Sequence, residues 1–273
     1  MTDTYLLYRD DARDKHRSYY FEQDMIKDLS LDTIVSAMAR GDEKIYERAM
    51  RVILTPVEDP SDILYRHEVL KDLRRERALA EKLFVIGSEH GGKLRKYKEN
   101  MKLYRARSHR GVAENIEKLT YLKDAVADLL SVRDVLSEYS GRIDSEALRG
   151  LLDRLNSEPL DAIKARAAEL DVFIRGGEFD YSLHIGGGLK LDRIYIEELR
   201  AKDETRRTRQ GNSFFKGLTD TFRRNVMSTN NNIELKGDIA TLQDAALDKI
   251  IKLFTPFLDD TVRFFEHFIE EMC

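Results

Sequence analysis

The chain has 273 residues, 35% of them charged, with a formal net charge of −4, four prolines, no tryptophan and one cysteine, Cys273. That balance excludes a polyanion binder working through its whole surface, a disulfide framework and a zinc cluster, and it favours long solvated helices over a compact sheet protein. No apolar run reaches membrane-spanning length and no signal-peptide pattern opens the chain, so the expected home is the cytoplasm.

Residues 1–20 are polar and charge-mixed apart from the knot Tyr5-Leu6-Leu7-Tyr8, and are expected to lie on the surface or fray. Residues 21–40 carry a helical pattern through Leu31, Ile34, Val35 and Met38, stopped near Gly41. A further helix covers about 42–54 through Ile45, Ala49, Val52 and Ile53. Pro56 and Pro60 hold the backbone extended and forbid a helix before the second of them. Asp59 or Ser61 can then cap a helix whose apolar face is predicted to be Ile63, Leu64, His67, Leu70 and Leu73. Gly87-Ser-Glu-His-Gly-Gly-Lys-Leu94 imitates a phosphate loop, but Leu94 offers no oxygen for Mg²⁺ where Ser or Thr is needed. A flexible glycine turn between helices is the expectation there.

Residues 93–110 are strongly basic. Lys93, Arg95 and Lys96 lead the run, and it reads either as a phosphate-contacting surface or as a solvated face balanced by acidic neighbours. Residues 112–140 form the clearest long helix, with Leu119, Leu122, Val126, Leu129 and Leu136 in one seam and a stop at Ser140-Gly141. Two shorter helices follow, through Leu148–Leu155 and through Ile163–Leu170. The period then changes to two over Phe179, Tyr181, Leu183 and Ile185. After the Gly186–Gly188 turn it returns with a phase slip, predicting a β-hairpin around 178–199. His184 stands alone and reads as a solvent-side strand residue.

Between 200 and 232, Arg206, Arg207, Arg209, Lys216, Arg223 and Arg224 interleave with Phe214, Phe215 and Phe222. This is either a backbone-gripping, base-stacking segment or a loop with buried Phe and wet Arg heads. The chain closes with two predicted helices broken at Thr255-Pro256. The second carries Phe257, Phe264, Phe265, Phe268 and Met272 in a stripe that runs to the end and is expected to be exposed for a further domain. Glu68 and Asp72 share a helix face, for which ion pairing is the simpler account than catalysis. The chain is mainly α and is expected to be no enzyme by itself.

Asp59-Pro60, Ile63, Tyr65-Arg66, Glu68-Val69 and Asp72-Leu73 resemble the signature opening the core domain of MutS-family DNA mismatch-repair proteins. The lead-in Leu29-Ser-Leu-Asp32, Ile34-Val35 and Leu54-Thr-Pro56 is similar to that of bacterial members. The resemblance implies an elongated multi-helix core and lever bundle with a small β-hairpin insertion. It divides the chain into an N-terminal extension (1–20), core and lever helices (21–175), the hairpin with its basic, aromatic loop (176–235), and returning helices (236–273) that lead to a C-terminal ATPase. It further implies a non-catalytic module without its own cofactor, coupling DNA-contacting parts to that ATPase. The full-length protein would use ATP and Mg and pair as a homodimer, with DNA as a possible partner and no membrane. Phe264-Phe-Glu266 fits the family's F-x-E wedge but stands at the wrong end of the chain and on a core-facing helix, so that role is not carried over. A helical protein–protein scaffold without nucleic-acid binding is the alternative.

Overall fold

The computed structural model describes residues 5–7, 21–55, 59–106, 112–174, 178–185, 191–200 and 239–272, with only the backbone given for the strands and most of the first turns of the last helix. Among them the protein is mainly helical. The helices are α1 (Glu22–Asp28), α2 (Leu31–Ala39), α3 (Glu43–Leu54), α4 (Pro60–Arg75), α5 (Arg77–Ala106), α6 (Val112–Glu138), α7 (Glu146–Ser157), α8 (Leu160–Ile174) and α9 (Ile239–Met272). Strands β1 (Glu178–Ile185) and β2 (Leu191–Arg200) pair antiparallel, with register shifts at Asp180/Tyr181 and His184/Ile185. The chain divides into two compact units: residues 1–98, 124–160 and 257–273 form the first, and residues 99–123 and 161–256 the second.

In the first unit, local sequence sets the early helices. Residues predicted as one helix over 21–40 split in two, because Ser30 takes a left-handed conformation between α1 and α2. Asp42 caps α3, its Oδ1 accepting from the amides of Lys44 and Ile45 at 2.9 and 3.2 Å. Leu31, Val35, Met50 and Leu54 then close a small cluster between α2 and α3. Tyr46 adds a hydrogen bond to Asp32 at 2.6 Å, which raises the phenol pKa. Asp59 caps α4 as expected, accepting from the Ser61 amide at 2.7 Å, with Pro60 in the first turn.

Three expectations fail here for identifiable reasons. The apolar row on α4 points outward: Ile63, Leu64 and Leu70 are at least half exposed, whereas Val69 and Asp72 are fully buried. The buried face is selected by hydrogen bonds that Tyr65 and Arg66 donate and Asp72 accepts, which a count of apolar residues does not register. The glycine turn at 87–92 is absent, since α5 runs unbroken through it. Its helical backbone pairs N–H groups along the helix, so no loop cradles a phosphate. The break at Thr255-Pro256 is also absent, with Pro256 inside α9. Proline removes one ladder bond; Thr255 Oγ1 engages the Ile251 carbonyl at 3.2 Å just before it. Packing beyond the proline, through Leu258, Phe264, Phe265 and Phe268, keeps the helix going.

The helix is core-facing at Phe264–Glu266 as expected, and its stripe is covered within the first unit, where Phe264, Phe265, Phe268 and Ile269 are all buried. The rings of Phe264 and Phe268 stack at 5.6 Å, and Phe265 meets Phe264 edge-on at 5.1 Å. Val126, Leu129 and Leu136 of the predicted α6 seam are buried in this unit, and Leu119 and Leu122 in the second. Arg133 leaves the seam to meet Asp134 at 3.4 Å. The second unit also buries Ala167 and Leu170 of α8 and Ile251 of α9, and ties Lys123 to Asp171 at 2.7 Å.

Gly92 sits in the middle of α5, and a methyl group added there would meet nothing within 4 Å. Glycine in a helix interior costs about 1 kcal/mol relative to alanine. Gly92→Ala is therefore expected to raise the unfolding free energy by about that amount in a urea melt. A destabilised variant would mean this stretch is not helical in solution.

Candidate functional site

The motif residues on α4 do four different jobs. Asp59 and Pro60 start the helix, while Glu68 stands exposed. Tyr65 Oη donates to the carbonyl of Tyr5 at 3.0 Å, and Arg66 Nε donates to that of Leu7 at 3.3 Å. Glu271 on α9 completes the arrangement by accepting from the amides of Leu6 and Leu7. Residues 5–7 of the stretch expected to fray are thus held by their backbone, and all three are buried.

Asp72 lies at the far end of α4, fully buried. Its Oδ2 accepts from the amides of Asp144 and Ser145 at 2.9 and 2.7 Å, so it ties down the chain leading into α7 from another helix. Arg75 reaches Asp72 Oδ1 at 2.8 Å and Asp144 at 2.7 Å, holding the Asp144 carboxyl below the usual range. Arg142 joins Glu76 at 3.0 Å and covers the Tyr139 ring at 4.4 Å. The ion pairing anticipated for Asp72 is present, with Arg75 rather than around Glu68.

A second polar cluster lies where the glycine turn was expected. His90 is fully buried, its Nδ1 2.7 Å from Asp128 Oδ2, and its ring stacks on Phe265. Lys93 donates to both Asp128 oxygens at 3.0 and 2.8 Å. Burial pushes the His90 pKa below its ordinary value despite Asp128. Burial alone would raise Asp128, but the hydrogen bonds from His90 and Lys93 outweigh it and hold the carboxyl low. Lys123 and Asp171 belong to the second unit.

This cluster yields a pH prediction. Folded His90 has a depressed pKa, so the unfolded chain binds the extra proton. The contribution is fully present above the unfolded value of about 6.5 and is lost as pH falls through the folded one. Asp128 is depressed as well, and adds a second loss below about 3.8. The denaturant midpoint of wild type is expected to drop as pH falls below about 6.5, and His90→Gln to flatten that limb. An unchanged slope in the variant would remove His90 as its source.

Of the basic residues singled out from the sequence, Lys93 is occupied by Asp128. Arg95 and Lys96 stand exposed, with no ion pair among the described residues. Arg206, Arg207, Arg209, Lys216, Arg223 and Arg224 lie outside the described residues. So does the loop holding them, and the surroundings of His184 lie outside likewise. Beside α5 the first unit has an open groove of about 690 Å³, lined among others by Lys44, Arg48, Ser88, Arg95 and Lys98. Two of these cations are used internally: Lys98 pairs with Glu266, and Arg48 donates to the Ile269 carbonyl at 3.2 Å. Glu266 of the F-x-E sequence is that partner, and Phe264 is buried. Among the described residues no group of three or more His, Cys, Asp or Glu could hold a metal, and no helix is long and apolar enough to cross a membrane.

Sequence reasoning missed the anchoring of Tyr5–Leu7 by Glu271, the grip of Asp72 on the amides before α7 and the His90–Asp128–Lys93 cluster. The one available signal was the apolar knot at 5–8. Partners so distant in sequence carry no local pattern.

The family described as the MutS2 N-terminal domain matches residues 58–273, from the residue before Asp59 to the last of α9 and beyond. The lead-in through Leu29–Asp32 and Leu54–Pro56 lies outside that span. No curated protein and no solved structure matches the chain. With Asp59, Pro60, Tyr65, Arg66 and Asp72 all inside the matched span, this chain belongs to the MutS2 N-terminal domain family.

Proposed function

We propose that this chain is a non-catalytic core and lever module of a MutS-like DNA mismatch-repair protein, coupling DNA-contacting parts to an ATPase. The observation that carries the reading is the family match over 58–273. In support, α5, α6 and α9 each contribute residues to both compact units. Long helices are stiff, so a displacement at one end is carried along the rod. In this reading β1 and β2 form an insertion between lever helices. Arg95, Lys96 and the basic residues of 206–224 contact the phosphate backbone. ATP and Mg act in a separate domain of a dimeric full-length protein working in the cytoplasm.

Calorimetry with Mg-ATP is expected to show no binding by this chain, while its affinity for duplex DNA falls at least tenfold from about 50 to 200 mM salt. Alanine at Arg206, Arg207 and Arg209 together should weaken that binding. Micromolar ATP affinity would overturn the non-catalytic assignment. Absence of DNA binding at low salt would favour a protein–protein scaffold, a reading supported by the exposed Ile63, Leu64 and Leu70 on α4.

A further inference from the structure

The grip on Tyr5–Leu7 differs from ordinary core packing. Four hydrogen bonds reach three consecutive residues, and all four go to backbone atoms: the Tyr5 and Leu7 carbonyls and the Leu6 and Leu7 amides. The donors and acceptor are side chains of α4 and α9, far away in sequence. The Tyr5 ring stacks on His267 at 4.9 Å, and Leu6 is almost wholly enclosed at 1% exposure. Backbone contacts of this kind hold a short segment without reading its side chains, while the enclosed Leu and the stacked ring add selectivity.

We propose that Tyr65, Arg66, His267 and Glu271 form a peptide-binding slot for a short aromatic-Leu-Leu segment. Here it is filled by the chain's own residues 5–7, and the same segment of a second copy can enter it. The chemistry favours that occupant because a second copy supplies the identical three residues. A tethered segment has an effective concentration of about millimolar. Exchange therefore requires the resident segment to leave first, and a free peptide at about 10 μM competes poorly with it.

The test uses the full chain carrying Leu6→Asp, which ejects the resident segment by placing a charge in the enclosed position, with a labelled peptide of residues 2–8 as probe. The variant is expected to keep its helical circular dichroism and bind the peptide one to one with micromolar affinity. Wild type should bind at least tenfold more weakly, because its slot is full. Adding Glu271→Ala to the variant should weaken peptide binding at least tenfold by removing the acceptor of two amides. A folded Leu6→Asp protein that ignores the peptide would overturn the proposal. Loss of helical signal in that variant would overturn it too, since the segment would then be an integral part of the core.

Discussion

Phe265→Ala is expected to be the most damaging single substitution in the first unit, lowering the unfolding free energy by about 3–5 kcal/mol. Phe265 is fully buried, meets Phe264 edge-on and lies against the His90 ring at a centroid distance of 3.4 Å. Its removal leaves a void that the rings of Phe264 and Phe268 are too constrained to fill. A second consequence separates this site from a plain core position. Without the aromatic cover, water reaches the imidazole and relieves the burial that depresses its pKa. The His90 titration, followed by NMR, should move upward toward 6.5. A loss of stability without that movement would show that other groups keep His90 dry.

Asp72→Ala should cost about 2–4 kcal/mol, because it leaves the amides of Asp144 and Ser145 without their acceptor at the start of α7. The ion pair with Arg75 contributes little of this, since Arg75 is 39% exposed and keeps Asp144 as a partner. Asp72→Asn should therefore recover about half of the loss: its carbonyl can still accept from both amides, though its NH₂ then faces the Arg75 guanidinium. Equal costs for the two variants in urea melts would assign the effect to charge rather than to the lost acceptor of the two amides.

Both residues stand in plain view in the sequence, yet neither role is legible there. Phe265 belongs to a helix that reads as core-facing, but a terminal stripe rich in Phe shows no partner in one dimension. In the folded chain the stripe is covered within its own unit. Asp72 has the pattern of a surface ion-pairing residue because charged neighbours surround it, while the buried amides it accepts from lie more than seventy positions away. His90 falls inside a glycine-rich run that local preference marks as a turn. The cost of glycine in a helix is small enough for packing on α9 to override it.

The sequence by itself determined what depends on near neighbours. The Asp42 and Asp59 caps, the entry of α4 at Pro60 and the seam of α6 follow from spacing and side-chain chemistry within a few residues. So does the family resemblance at 59–73, which the matched span of 58–273 contains. Only the tertiary structure decided which face of α4 is buried, that α5 and α9 run unbroken, and that the N-terminal knot is clamped by Tyr65, Arg66 and Glu271. Those outcomes turn on hydrogen bonds and ring contacts between distant segments, whose free energies exceed the local propensities they overrule.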